Sequence, residues 1–204
     1  LREIGQAILT LDSSECLQQV ARRTAALIHA PMVTVVMREG DTLCARVRFN
    51  VEEPSLSETM DEDSCREEAF VPQDSVAGWV MHSGQPILLP DTDRTQTPYP
   101  LSPDARCVIA APLIARDKVI GALVAESPDP NTFTEEDQAL ITAIAPQAAI
   151  AIHNAQLHDA LRSREALFRA IIENTSDIIA LADCNHILRY VSPSVRQVLG
   201  YEPD

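Results

Sequence analysis

The sequence contains no uninterrupted apolar run long enough to cross a membrane. Its longest run, residues 107–115, falls far short of the ~18 residues that a membrane-spanning helix needs. The first residues, LREIGQ, have neither the basic start nor the apolar core of a signal peptide, and they include no Met. We therefore expect a piece of a longer protein, without direct membrane contact in this fragment. A cytoplasmic location is predicted, and membrane attachment elsewhere in the parent protein stays open.

Positive charge is also scarce, since 16 Lys and Arg residues face 30 Asp and Glu residues and give a net charge of −14. Such a chain repels phosphate backbones, and no local basic patch offsets the repulsion, so nucleic acid is excluded as a partner. Residues 51–75 hold nine acids against one base, a net charge of −8. This acidic window lacks the alternation and the glycine of an EF-hand loop, which favours a solvated surface excursion over a calcium site.

The five cysteines are an odd number and include no Cys-x-x-Cys pair. Their wide spacing predicts free thiols in a reducing compartment and no zinc site. Of the histidines, His82 could ligate a haem or a metal, but one imidazole is weak support for a ligand. His153 and His158 lie five residues apart and therefore do not share one helical face. The sequence thus predicts no metal site.

What the chain does contain is a regular series of helical and strand patterns. Helices are expected at residues 3–11 and 15–29, and a β-hairpin is expected at residues 32–49, because β-branched residues flank the turn Glu39-Gly40-Asp41. After the acidic window the pattern predicts a short helix, a short strand and a proline-rich loop, and then two strands that are apolar on both faces. These segments are residues 74–83, 87–89, 90–106, 107–115 and 119–126.

A helical pattern then runs for roughly 40 residues, from a cap at Thr132 or Thr134 to about Glu173. At ~1.5 Å per residue it would measure about 60 Å, which is longer than one compact domain needs. Pro146 inside it predicts a bend. Beyond the helix, residues 177–183 and 187–191 predict two strands, and Ser192-Pro193-Ser194 opens a short helix. Two strands and one helical turn cannot bury a core, so this second unit is expected to be truncated.

This order of elements resembles the GAF domain. The likeness covers nearly all of residues 1–158 and is carried by three groups of motifs. They are VAGWV with SGQP and PD (76–80, 83–86, 90–91), APL with VIGAL (111–113, 119–123), and FTEED with AIHNA (133–137, 151–155). The resemblance implies an α+β fold, an α/β/α sandwich in which helices flank a central antiparallel sheet of about six strands. It also implies a ligand cavity that the acidic window and the proline-rich loop close.

Residues 166–204 are similar to the first third of a PAS domain. The motifs are FRAIIEN (168–174), DII (177–179), YVSPS (190–194) and LGY (199–201). Together the resemblances imply a GAF sensor domain at 1–158, a linker helix at 159–174 and the start of a PAS domain at 175–204. That order implies the regulatory region of a bacterial signal-transduction protein, foremost a sensor histidine kinase of a two-component system. A diguanylate cyclase or phosphodiesterase is the alternative. The fragment itself is then no enzyme and has no catalytic residues, and the output domain lies elsewhere in the same polypeptide.

Within a GAF-like cavity, the expected pocket walls are Trp79, Asp91, Tyr99, Arg106 and Cys107. Arg106 would either bind an anionic ligand or pair with Asp91 or Asp93, and the structural pair is the preferred reading. The ligand is not identified. Covalent bilin is disfavoured because no cysteine is followed by histidine, and the Asn-Lys pair of cyclic-nucleotide-binding relatives is absent.

An enzyme class stays open as well. Free methionine sulfoxide reductases are stand-alone GAF domains with cysteines in their cavity loops, and Cys65 with Cys107 could supply a nucleophile and a resolving thiol. The cysteine that this family carries beside the glycine of the short helix is missing, because Gly78 is followed by Trp79. We therefore expect Cys107 to be a core or cavity-lining residue and Cys65 a loop thiol.

Hydrophobic residues of the long helix predict that two copies of the chain pair through it. Leu157, Leu161, Phe168 and Ile171 approximate a coiled-coil seam, although Arg164 also occupies a core-like position. A parallel homodimer is expected.

Overall fold

A computed structural model of the chain describes residues 13–52, 58–59, 70–94, 105–174 and 177–200. The predicted helix at 3–11, most of the acidic window and most of the proline-rich loop lie outside the described residues. The chain divides into two compact units, Leu1–Gln156 and Leu157–Asp204. Each unit is described by itself.

The described elements follow the predicted order. They are α1 (Ser13–Ile28), β1 (Met32–Glu39), β2 (Thr42–Asn50), β3 (Glu58–Thr59), β4 (Phe70–Val71), α2 (Val76–Ser83), β5 (Ile87–Leu89), β6 (Cys107–Ala115), β7 (Lys118–Ser127), α3 (Glu135–Asn174), β8 (Ala180–Ala182), β9 (Leu188–Val191) and α4 (Ser194–Leu199). Among the described helices, none combines the length and the apolar character needed to cross a bilayer.

The first unit is built on an antiparallel sheet with five main strands in the order β2-β1-β7-β6-β5. The central antiparallel sheet is confirmed, and the expected count of about six strands lies between these five main strands and the seven strands that pair in all. The other two, among the described residues, are β3 and β4, two-residue strands that both pair with β2. Strand β6 is buried at every residue except Ile114, and β7 is buried from Gly121 to Ala125, as their continuous apolar sequences predict.

The two faces of the sheet pack against different helices. Helices α1 and α3 pack on one face. There they form a hydrophobic cluster with alternate residues of β6, among them Cys107 and Ile109. Helix α2 packs on the other face with Val108 and Ala110. Successive side chains of a strand point to opposite faces, so β6 contributes to both hydrophobic clusters. Each large side chain buried this way stabilises the fold by roughly 1.5–3 kcal/mol.

Capping residues mark both ends of α2 and the start of α3. Ser75 caps α2 by accepting a hydrogen bond from the Gly78 amide at 3.2 Å, and Gly84 ends that helix with a left-handed φ of 66°. At α3, the hydroxyl of Thr134 accepts from the Asp137 amide at 3.3 Å while the Asp137 carboxylate accepts from the Thr134 amide at 2.9 Å. Of the two predicted caps of the long helix, Thr134 is therefore the one that the structure uses.

The second unit contains a short hairpin, β8–β9, followed by α4. The strand expected at 177–183 is shorter than predicted and spans only Ala180–Ala182. Asp183 begins the turn instead, and its carboxylate accepts hydrogen bonds from the amides of Asn185 at 2.9 Å and Ile187 at 3.0 Å. These amide bonds and the neighbouring Arg189 hold the pKa of Asp183 below its usual range.

Gly121 offers a test of how tightly the sheet packs. A Cβ atom there would lie 2.4 Å from the carbonyl oxygen of Val36 and 2.9 Å from the sulfur of Met37. We expect Gly121→Ala to lower the free energy of unfolding by about 3 kcal/mol, since the strands must separate to admit the methyl group. Chemical denaturation measures it. Gly84→Ala is the control, because its Cβ would enter open space and only its positive φ opposes the change, at about 1 kcal/mol. Equal losses for both variants would contradict this packing.

Candidate functional site

Arg106 forms a charged cluster at the start of β6 with two aspartates from the segment after β5. One guanidinium nitrogen lies 3.1 Å from Asp91 Oδ1, and its Nε lies 3.1 Å from Asp93 Oδ2. The Asp91 side chain is 13% exposed and that of Asp93 is 67% exposed, so the contact with Asp91 is much better shielded from water. Arg106 therefore has the carboxylate partners of the structural-pair reading.

Backbone hydrogen bonds fix the same cluster in place. The Thr92 amide donates to the Arg106 carbonyl at 2.9 Å, and its hydroxyl donates to the Ala105 carbonyl at 2.8 Å. The Arg106 amide donates in turn to the Ser127 carbonyl at 2.8 Å. Residues 91–93 are therefore hydrogen-bonded to the residues just before β6, and Arg106 in turn joins these residues to the end of β7. We call Asp91, Thr92, Asp93 and Arg106 the β6 clamp.

Cys107 lies next to Arg106 in sequence but does not line a pocket on the α2 face. Its side chain is fully buried in the cluster beneath α1 and α3, where Sγ accepts a hydrogen bond from the Phe133 amide at 3.5 Å. Placing Cys107 in one cavity with Trp79 is therefore corrected, because Trp79 packs against the cluster on the opposite face of the sheet. The expectation that Cys107 is a core residue agrees with this position.

Three further residues were predicted to line the pocket or bind a ligand, and two of them, Trp79 and His82, lie within the described residues. Trp79 is partly buried on α2, and Tyr99 lies outside the described residues. His82 is exposed in the last turn of α2. Across the described residues, no group of three or more His, Cys, Asp or Glu side chains could hold a metal ion.

An open groove lies elsewhere on the first unit, along the beginning of α3. It has a volume of about 630 Å³ and is lined by Pro86, Glu135, Gln138, Ala139, Thr142 and Ala143. None of the four predicted pocket residues that the structure describes, Trp79, Asp91, Arg106 and Cys107, contributes to it. The groove is shallow and partly polar, and its lining includes no buried charge that would select a ligand.

The cysteines differ from one another more than the sequence predicts. Cys16 and Cys107 are buried free thiols and Cys184 is an exposed one. Burial raises the pKa of the Cys16 thiol from 9.0 to about 11, so this thiol is protonated and unreactive near neutral pH. Cys44 is disulfide-bonded, which corrects the expectation that all the thiols are free. Cys65 lies outside the described residues.

Sequence reasoning missed two roles: Thr92 acts through its amide and its hydroxyl, and Phe133 acts through its amide. The aspartates on either side of Thr92 were the available signal for the clamp, since two acids close to a strand-end arginine favour pairing. No comparable signal exists for the Phe133 amide, because any residue at that position carries the same donor.

Comparison with known proteins identifies the family. A family model described as the GAF domain matches residues 12–152, which is more than half of the chain. The chain therefore belongs to the GAF domain family, whose members are signalling and ligand-binding domains.

Solved structures share this fold at low sequence identity. The GAF domain of a phosphoenolpyruvate-protein phosphotransferase from Coxiella burnetii has a TM-score of 0.60 at 18% identity, over 78% of this chain and 94% of its own. The type II free methionine-R-sulfoxide reductase from Thermoplasma acidophilum has a TM-score of 0.55 at 17% identity, over 70% and 96%. The GAF-B domain of DevS from Mycobacterium smegmatis has a TM-score of 0.52 at 22% identity, over 75% and 99%. These identities establish a shared fold and leave the ligand open.

The β6 clamp predicts an energetic coupling between Arg106 and Asp91. In a double-mutant cycle of Arg106→Met and Asp91→Asn, we expect a coupling of about 1 kcal/mol in the free energy of unfolding, because Asp91 is largely shielded from water. The matched cycle with Asp93→Asn should give no more than about 0.3 kcal/mol, because Asp93 is solvated. Equal couplings in the two cycles would show that the shielded contact has no special weight.

Proposed function

We propose that this chain is the sensor region of a bacterial signal-transduction protein, without catalysis of its own. The observation that carries the proposal is helix α3, which starts in the GAF domain and continues to Asn174. Its first part supplies core residues to the domain, whereas nearly every residue from 156 to 171 is exposed. A helix with this division is suited to pass a change of packing from a sensor domain to a partner element.

The exposed part of α3 carries five large hydrophobic side chains, and four of them lie on one side of the helix, whereas Leu167 lies on another. Leu157 is 47% exposed, Leu161 65%, Phe168 59% and Ile171 57%. We call these four residues the downstream stripe. Their spacing fits the a and d positions of a heptad repeat, and such a stripe in water favours a second helix of the same kind. We therefore propose a homodimer in which the two α3 helices pair in parallel.

Arg164 occupies a core position within this stripe, and it weakens the pairing because two guanidinium groups face each other in a parallel dimer. Its side chain reaches water along a flexible stem, so the cost is moderate. A stripe with one charged position is suited to a contact that changes during signalling rather than to a permanent one.

The exposed hairpin of the second unit supports the proposal that a PAS domain begins after the helix. Its two strands bury little, since Leu181 is 51% exposed and Leu188 is 60% exposed. A two-stranded hairpin is marginally stable alone, and its apolar surface calls for further strands or helices. We propose that additional polypeptide completes this sheet. The output domain is then foremost a histidine kinase, with a diguanylate cyclase or phosphodiesterase as the alternative, in a cytoplasmic setting.

The second candidate function is free methionine sulfoxide reduction. It draws support from the fold shared with the Thermoplasma acidophilum reductase and from the disulfide at Cys44. Against it, Cys16 and Cys107 are fully buried, whereas a thiol nucleophile must meet its substrate as an accessible thiolate. The sensor function is therefore preferred.

A reductase assay separates the two functions. The full chain, incubated with free methionine sulfoxide and dithiothreitol, should form no methionine above the protein-free background, since its described free thiols are buried apart from Cys184. The Thermoplasma acidophilum reductase serves as the positive control. Catalytic turnover would overturn the sensor proposal.

The proposed dimer is tested by placing a charge in the downstream stripe. Leu161→Asp should convert the chain from dimer to monomer at micromolar concentration in sedimentation velocity, because two carboxylates would be buried face to face. The fold itself should be unaffected, since Leu161 is exposed within one chain. Ser163→Asp adds the same charge to an exposed position on another side of the helix and should leave the dimer intact. A wild-type monomer at micromolar concentration would contradict the dimer.

A further inference from the structure

Cys44 differs from the other described cysteines because it forms a disulfide. It lies in β2, and its side chain is fully buried. Cys16, Cys107 and Cys184 are free thiols, so the five cysteines of the sequence leave Cys65, outside the described residues, as the partner within one chain. In the reducing compartment that the cysteine pattern predicts, a disulfide is usually transient and responds to redox conditions.

Cys44 lies where β4 joins the edge of the sheet. In the antiparallel pairing of β2 with β4, Cys44 is opposite Phe70 and Leu43 is opposite Val71. A ladder of only two residue pairs contributes little stability by itself. Cys65 precedes Phe70 by five residues in the sequence. A covalent bond between Cys44 and Cys65 would therefore keep the chain that leads into β4 beside β2.

The residues that follow connect this edge of the sheet to the start of α2. We call residues 70–75 the β4 strap. The side-chain amide of Gln73 donates a hydrogen bond to the Asp41 carbonyl in the β1–β2 turn at 2.6 Å, and Ser75 caps α2. Gly78 has no room for a Cβ atom, because the backbone of Gln73 would collide with it. The β4 strap and the first turn of α2 are therefore packed backbone against backbone.

The β4 strap also contributes to the hydrophobic cluster beneath α2. Val71 packs against this cluster, to which Leu43 of β2 and Val80 of α2 belong. A movement of β4 away from β2 would withdraw Val71 from the cluster and displace the residue that caps α2. Because packed interiors resist continuous deformation, such a change is taken up as a shift of a whole element, here α2.

We propose that the disulfide of Cys44 is a redox switch, which a dithiol reductant opens and whose opening loosens β4 and the first turn of α2. The inference rests on the proposed sensor function, for which it names the signal as the thiol–disulfide balance of the surroundings. The proposal concerns the GAF domain alone and requires neither the dimer nor an output domain.

The switching step is a thiol–disulfide exchange. A thiolate of the dithiol attacks the sulfur bonded to Cys44, a mixed disulfide forms, and the Cys44 sulfur leaves and takes up a proton. The second thiol of the reductant then forms its own S–S bond and releases the other cysteine as a thiol. The protein gains two electrons and two protons, and the dithiol loses the same number.

Thiol labelling tests whether the bond forms and opens. In a Cys184→Ser background, which removes the exposed thiol, the full chain is treated with diamide or with dithiothreitol, unfolded in guanidinium and labelled with iodoacetamide. The oxidised chain should take up two labels, at Cys16 and Cys107, and the reduced chain four. Peptide mass spectrometry of the oxidised chain should recover Cys44 linked to Cys65. Four labels in the oxidised chain would overturn the proposal.

Hydrogen exchange of the same two samples tests the conformational effect. Reduction should speed the exchange of the amides of Val71 and residues 78–81 about tenfold, because local opening is no longer limited by the covalent bond. The amides of residues 107–111, in the buried strand β6, should exchange equally in both samples. Equal exchange of Val71 and residues 78–81 in the oxidised and reduced chains would overturn the switch.

Two variants separate the disulfide from other effects of the reductant. Cys44→Ala should exchange at the fast rate with and without dithiothreitol, whereas Cys16→Ala, which removes an equally buried free thiol, should keep the response. A response that survives in Cys44→Ala would overturn the assignment to this bond. If Cys44→Ala does not fold, the comparison of the oxidised and reduced chains still decides.

The outcomes also separate this inference from the proposed function. Unchanged exchange on reduction overturns the redox switch and leaves the sensor function standing. Turnover of methionine sulfoxide in the reductase assay overturns the sensor function, and with it the signal that this inference assigns.

Discussion

The packing of α3 on the sheet is the contact on which the rest of the structure depends. The buried residues of α3, among them Ile141, Ala145, Ala149 and Ile152, belong to the same hydrophobic cluster as residues of the sheet. Through this contact α3 covers the side chains that β6 and β7 turn towards it, including Cys107. The α2 face is built from the alternate residues of the same strands. The sheet residues whose side chains point towards the buried face of α3 therefore form the core beneath α1 and α3.

That anchoring has a consequence for the proposed sensor function. Because Arg106 holds residues 91–93 at the start of β6, a change in that segment would act on the strand whose other residues pack beneath α3. Packed interiors resist continuous deformation, so such a change is more readily taken up as a shift of a whole element. In the proposed signalling region, α3 is the element that carries this shift towards the output.

Much of the fold could be predicted from the sequence. The bounds of β5 and β6 match because a proline or a turn borders each apolar run. The length of α3 matches because its helical pattern resumes after Pro146 and the helix continues through that residue. The side on which Cys107 lies could not be predicted. In a strand buried on both faces, an apolar sequence has no alternation to distinguish one face from the other. The pairing of Arg106 was within reach, since a charge beside buried strands requires a partner. The disulfide of Cys44 was not, because a disulfide requires two Cα atoms within about 7 Å of each other, and sequence spacing does not give that distance.

The central claim is that α3 has one face in the domain core and another reserved for a second copy of the chain. Hydrogen exchange of the α3 amides tests both faces at once when it is measured at protein concentrations above and below the dissociation constant of the dimer. The account predicts that residues 141–152 are protected at every concentration, whereas residues 157–171 gain protection only where the dimer forms. Rapid exchange of residues 157–171 at all concentrations would contradict it.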